Sequence, residues 1–289
     1  MKDRECYLCG EKSFDLAEGK VRDIPDMPIL KCKNCGLIFL ENFDHIDSTF
    51  YEDSRMRSND LKKDWKSHVN EGSKDDSRRV KWIGPIAKNK SLLDFGCDVG
   101  GFLLKIREFT SDCAGVEKDR SFANILRKLG ITIHPDIKDL KNKFDIITLF
   151  HVLEHLKDPK AILKKLSEYL NPSGSIIIET PNSNDALLSL YKNKPFSRFT
   201  YWGCHLYLFN SFTLRRLIED SGLVVDYIKQ IQRYPLSNHL YWLSHGKPGG
   251  YKIWNFIDTP KLTKSYEAQL VKRGICDTLI ASVSTKNID

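Results

Sequence analysis

The stretch from Ser91 to Gly115 limits what this chain can fold into more than any other. Ser91-Leu92-Leu93-Asp94-Phe95 is a short apolar run without helical spacing. Gly96-Cys97-Asp98-Val99-Gly100-Gly101 breaks it, and Phe102-Leu103-Leu104-Lys105-Ile106 reads as the start of a helix. Strand, tight glycine loop and helix, in that order, bring backbone close to a ligand in nucleotide-binding α/β sheets. A second strand, Cys113 to Val116, ends at Glu117, 23 residues after Asp94. An acidic residue near that spacing reaches a ribose hydroxyl.

Length allows one α/β domain of about 200 residues and a small appendage. A hydrophobic content of 41% excludes global disorder. No run approaches the roughly 18 apolar residues of a membrane helix, and Met1-Lys2-Asp3-Arg4-Glu5 is not followed by an apolar segment. The expectation is a soluble, cytoplasmic protein.

Cys6-Tyr7-Leu8-Cys9 and Cys32-Lys33-Asn34-Cys35 each put two thiols at the ends of a tight turn, so that Cys6, Cys9, Cys32 and Cys35 can meet one tetrahedral ion. The 22 residues between the pairs are enough for the hairpin of a zinc ribbon. Four cysteine ligands leave no open position, so the expected zinc is structural. Free thiols or a redox pair are the alternative. The other cysteines, Cys97, Cys113, Cys204 and Cys276, show no matching spacing. The formal charge of +7, brought to about +5 by a zinc on four thiolates, suits an anionic substrate but does not establish nucleic-acid binding.

From Asn59 to Lys90 the chain is charged, with Leu61, Trp65, Val69, Val80 and Ile83 loosely at helical spacing. Gly72-Ser73 is expected to divide it into two helices whose charges form a solvated surface. Beyond Glu117, a helix over Ser121 to Leu129 closes at Gly130, and Ile131 to Ile133 forms a third strand before His134-Pro135-Asp136. Phe144 to Phe150 and Ser175 to Glu179 are buried strands, with a helix over Lys160 to Leu170 between them. This alternation predicts a doubly wound, mostly parallel α/β sheet, which binds ligands at the carboxyl ends of its strands. Gly96, Glu117, Asp136 and His151 fall there. Residues 182 to 204, rich in aromatics, form a long insertion of the kind that usually carries function, and read as a substrate lid.

Asp94-Phe95-Gly96-Cys97-Asp98-Val99-Gly100 resembles the first motif of class I S-adenosylmethionine-dependent methyltransferases, and His151-Val152-Leu153-Glu154-His155 resembles their segment after the fourth strand. The resemblance spans roughly residues 85 to 285, and the cysteine pairs are similar to a metal-binding extension of some members. It implies a Rossmann-like sheet and S-adenosylmethionine as cofactor. The implied cofactor-binding residues are Asp94, Gly96, Cys97, Gly100, Glu117, Asp136 and His151, with Asp139 a rival to Asp136 at the adenine. The family usually has glycine where this chain has Asp98, a departure that bears on cofactor affinity.

The resemblance further implies that His205, just after the insertion, faces the methyl group and acts as general base, since a hydroxyl acceptor must lose a proton. A packed, hydrogen-bonded histidine is the alternative. His155 is expected to cap or pack, and Tyr51 to pack or to line the substrate entrance. His151 to His155 also fits the H-x-x-E-H pattern of a metalloprotease group, but it directly follows a buried strand.

The expected organisation is a zinc ribbon over 1–45, a charged helical linker over 46–88 and a methyltransferase domain over 89–289, with the lid at 182–204. The acceptor is expected to be a small molecule, most simply a sugar, glycolipid or related metabolite, and the sequence leaves open whether oxygen, nitrogen or carbon accepts the methyl group. An RNA methyltransferase and a non-catalytic scaffold are the rivals.

Overall fold

The structure, a computed structural model, describes residues 4–47, 49–52 and 64–286. Leu61 lies outside the described residues. In chain order the elements are β1 (Phe14–Leu16), β2 (Ile29–Cys32), β3 (Ile38–Leu40), α1 (Trp65–Ala87), β4 (Ser91–Phe95), α2 (Gly101–Ile106), β5 (Asp112–Val116), α3 (Arg120–Lys128), β6 (Thr132–His134) and β7 (Phe144–Phe150). There follow α4 (Pro159–Ser167), β8 (Leu170–Pro181), α5 (Ala186–Ser189), α6 (Lys194–Thr200), β9 (Tyr207–Leu208), α7 (Ser211–Asp220) and β10 (Leu223–Ile231). The last elements are α8 (Leu236–His245), α9 (Gly250–Ile253), α10 (Pro260–Arg273) and β11 (Thr278–Thr285).

Seven strands form the main sheet in the order β10-β11-β8-β7-β4-β5-β6. From β8 to β6 every pair is parallel, and β11 runs antiparallel to both neighbours. The expected doubly wound sheet is present. Its two faces follow the two-residue period of a strand. Leu93, Ile147, Ile176 and Ile178 join the core that holds α4 and α7, whereas Leu92, Ile146 and Ile177 join the core beneath α1, α2 and α3. Truncating a fully buried residue such as Leu93 to alanine costs about 2 to 5 kcal/mol.

Three expectations need correction. Gly72-Ser73 does not break the charged segment: α1 runs unbroken for 23 residues, because it is held along α2. Its N-cap is Asp64, whose carboxylate accepts from Ser67 N. Nor is its charge simply solvated, since Asp76 is buried and Arg79 is 11% exposed. The helix expected over Lys160 to Leu170 stops at Ser167, and Leu170 already pairs with Phe144 in the sheet.

The strand and helix alternation also ends at β10. Three helices, α8 to α10, then intervene before β11 returns antiparallel. At the other end, the ribbon strands β1, β2 and β3 form a second sheet completed by β9, and ribbon residues such as Leu37 share a core with Leu208 and Leu149. No described helix is long and apolar enough to cross a membrane.

Candidate active site

Asp94, at the end of β4, is fully buried and accepts the Thr148 hydroxyl at 2.7 Å. Burial pushes its carboxyl up to about 7 although Thr148 favours the anion. The loop that follows is tight on both sides. A Cβ at Gly96, where φ is 75°, would lie 2.6 Å from Val152, and one at Gly101 would lie 2.2 Å from the Asp76 carboxylate. Asp98 occupies the left-handed region at φ 49°, which accounts physically for the glycine usual there. The Cys97 thiol is buried and turned under the sheet toward Gly115, so only its backbone is available to a ligand in the loop.

Glu117 accepts the backbone N–H of Asp98 at 2.6 Å and of Asp119 at 2.8 Å. Burial, with the nearby Asp98 carboxylate, pushes its pKa up to about 7. Glu117, Ala123, Pro135 and Asp136 line a cavity of about 580 Å³ beyond the loop. Asp136 caps a 3-10 turn, accepting from Lys138 N at 3.0 Å, and Asp139 accepts from Asp136 N in return. Glu117 and Asp136 thus both face this cavity, whose third carboxylate, Glu52, is paired with Arg120, while Asp139 serves the turn.

At the other side of the loop β7 ends, and His151 enters the left-handed region at φ 56°. The Arg233 guanidinium donates to its Nε2 at 2.8 Å, which leaves Nδ1–H for the Glu154 carboxylate at 3.2 Å. Glu179, at the end of β8, is fully buried and receives Arg78 at 2.8 Å and Arg79 at 2.7 Å. Asp75 of α1 pairs with Arg233, which with Arg79 and Arg78 outweighs burial and holds its carboxyl at about 2. Trp65 closes the start of α1 over the loop by donating to Val99 O at 3.0 Å. His151-Val152-Leu153-Glu154-His155 forms a strand end and a 3-10 turn, not the helix a metalloprotease would need.

A third group of residues lies on the far side of Glu154. The rings of His155 and His205 are 5.1 Å apart, and Trp202 lies 5.5 Å from His205. The His205 Nδ1–H donates to Thr200 O at 2.9 Å, leaving Nε2 with its lone pair. Burial lowers the pKa of His205, so it is neutral near pH 7. Tyr51 donates to His155 O at 3.0 Å and so fixes that turn. The ribbon reaches the same place: Gly203 N donates to Asp23 at 2.8 Å, His45 Nε2 donates to Gly203 O at 2.7 Å, and Arg22 stacks 4.0 Å over Trp202.

Residues 68–228, more than half of the chain, match the family described as a methyltransferase domain. The chain belongs to that family. It is an S-adenosylmethionine-dependent methyltransferase with a class I fold. A ubiquinone biosynthesis O-methyltransferase of Acinetobacter baylyi is 23% identical over 194 residues, covering 61% of this chain and 81% of that protein. One of Coxiella burnetii is 26% identical over 118 residues, 37% of this chain and 50% of that relative, so this methyltransferase spans only half its length. Among solved structures, magnesium protoporphyrin IX methyltransferase from Synechocystis with bound S-adenosylhomocysteine superposes with a TM-score of 0.52. The identity is 12%, over 82% of this chain and 97% of that one. An S-adenosylmethionine-dependent methyltransferase from Archaeoglobus fulgidus gives 0.50 at 17%, over 72% and 91%.

Sequence reading of the methyltransferase missed α1 and Arg233 as parts of the site. Glu179 could have been found, because a charge closing the apolar run Ser175 to Glu179 sits where a parallel sheet binds its ligand.

The ribbon thiols fit a zinc ion. Cys6 and Cys35 sulfurs are 3.5 Å apart and those of Cys9 and Cys32 3.4 Å, close to the about 3.8 Å edge of a tetrahedron with 2.3 Å bonds. All four lie within 4.8 Å of one another.

Proposed function

We propose that the chain methylates a hydroxyl of a small molecule, a sugar or other ring-bearing metabolite, with His205 as general base. The observation that carries this reading is the His205 ring: Nδ1 is tied to Thr200 O, so a neutral Nε2 is held ready among Trp202 and His155. Aromatic walls suit a ring-shaped acceptor. The O-methyltransferase names of the relatives favour an oxygen acceptor and a small molecule. They do not name a sugar, and the aromatic wall is what supports one.

When bound, S-adenosylmethionine supplies an electrophilic methyl group. The residues proposed to hold it are Asp94, the loop of Gly96, Cys97 and Gly100, then Glu117 at the ribose, Asp136 at the adenine and His151 at the methionine end. The lid at 182–204 excludes water and places the acceptor, and His205 Nε2 takes its proton. Zinc on Cys6, Cys9, Cys32 and Cys35 orders the ribbon, which in turn anchors Gly203 beside His205. A reducing, cytoplasmic setting suits four free thiolates. The division into ribbon 1–45, linker 46–88 and methyltransferase domain 89–289 is retained as part of this proposal.

The test is transfer of labelled methyl to a panel of hydroxylated sugars and rings. Turnover that survives His205→Ala unchanged would overturn the base assignment.

A further inference from the structure

His155, Cys204 and His205 bring two imidazoles and one thiol within 4.8 Å of one another, apart from the ribbon cluster. Two further observations make this more than proximity. His155 Nδ1 is buried without a hydrogen-bond partner. His205 Nδ1 bonds Thr200 O, which leaves Nε2 with its lone pair. Each ring therefore keeps one nitrogen without a partner, and that of His205 is oriented through its other nitrogen by backbone, as metal-binding histidines are. Cys204 is fully buried, and the buried Glu154 carboxylate adds negative charge beside both rings.

We propose that His155 Nδ1, Cys204 Sγ and His205 Nε2 form a second cation site, selective for a thiophilic divalent ion such as Zn²⁺ or Co²⁺. One thiolate and two imidazoles exclude hard cations such as Mg²⁺ and Ca²⁺. A tetrahedral ion sets ligand atoms about 3.3 to 3.8 Å apart, so the side chains draw in by about 1 Å on binding. The Cys204 thiol proton is released to solvent as the Zn–S bond forms. Three protein ligands leave the fourth position to water or another small ligand. Binding also occupies the lone pair of His205 Nε2. The site is therefore inhibitory, a consequence that rests on the general-base reading, whereas binding itself does not.

The test uses full-length protein carrying one zinc per chain in the ribbon, equilibrated with micromolar ZnCl₂ and passed through a desalting column before metal analysis. Wild type should retain a second equivalent, and Cys204→Ser and His155→Gln should each weaken that equivalent by at least about 10-fold to 100-fold. Circular dichroism and S-adenosylhomocysteine binding check that the variants are folded. A single equivalent in wild type overturns the site whatever the variants do, as do two equivalents in both variants. In turnover assays the second equivalent should stop wild type, dialysis back to one equivalent should restore it, and Cys204→Ser carrying only the ribbon zinc should be active and insensitive to added zinc. Full activity at two equivalents overturns the inhibitory role and the base reading together, while leaving the binding result in place.

Discussion

Arg233 meets His151 at 2.8 Å, joining the residues just past the ends of β10 and β7. The same guanidinium holds Asp75 of α1, while His151 Nε2 also lies 3.3 Å from Glu179. Glu179 binds Arg78 and Arg79 of the same helix. Three separate elements are thereby fastened to α1, which covers the glycine loop.

Glu179→Gln should therefore be one of the most destabilising conservative changes in the chain. It leaves Arg78 and Arg79 facing each other without the buried carboxylate, and breaking a buried ion pair from one side costs about 3 to 5 kcal/mol. Urea denaturation should show the loss, and hydrogen exchange should rise along α1. A variant within 1 kcal/mol of wild type would show that the two arginines find other partners at little cost.

The contrast between α1 and β4 shows what can be read without coordinates. β4, its loop and Glu117 follow from local rules: an apolar run, glycines that accept positive φ, and a carboxylate one strand later. The cysteine pairs are equally local. The role of α1 is not, because Arg79 is satisfied by Glu179, 100 residues away. A run of mixed charge looks the same whether it faces water or a buried partner. The lid histidine lies between these cases: His205 stands out by position, but its free Nε2 depends on Thr200 O. Asp98 is the converse, a departure from glycine that the backbone accommodates at φ 49°.

Cys32→Ser should remove zinc and lower stability by several kcal/mol, since metal binding and ribbon folding are one process. The contacts of Asp23 and His45 with Gly203 add a second consequence. Residues 200 to 206 should gain exchange along with the ribbon. Chelated wild type should behave the same way, and an unchanged melting curve after zinc removal would defeat the structural assignment.

Acid and base should act on different carboxylates. Asp94 and Glu117 have folded pKa values raised to about 7, against about 4 when unfolded, so the folded protein keeps protons the unfolded chain has lost. Their contribution is complete below about pH 4 and is lost as pH rises through 7. Asp75 and Glu154, both lowered to about 2, act in the opposite sense and lose their contribution as pH falls from about 4 toward 2. Without cofactor, the melting temperature should fall between about pH 5 and pH 7.5, and Glu117→Gln should flatten that slope. Identical slopes in the two proteins would mean that Glu117 is ionised throughout.

The last prediction concerns His205. Its Nδ1–H is committed to Thr200 O and burial keeps the ring neutral, so Nε2 is an acceptor over the working pH range. Cofactor affinity should depend on the loop, Glu117 and Asp136, which lie on the other side of Glu154. His205→Ala should accordingly reduce turnover by about 10² to 10⁴ while changing S-adenosylhomocysteine affinity by less than about threefold. The lost group is a diffusible chemical fragment, so added imidazole should restore part of the rate in the alanine variant and none in wild type. A packing role predicts another pattern: lower stability, weaker cofactor binding and no rescue. Measuring the rate, the affinity and the rescue on one preparation separates the two, and wild-type turnover in His205→Ala would end the case for a base at this position.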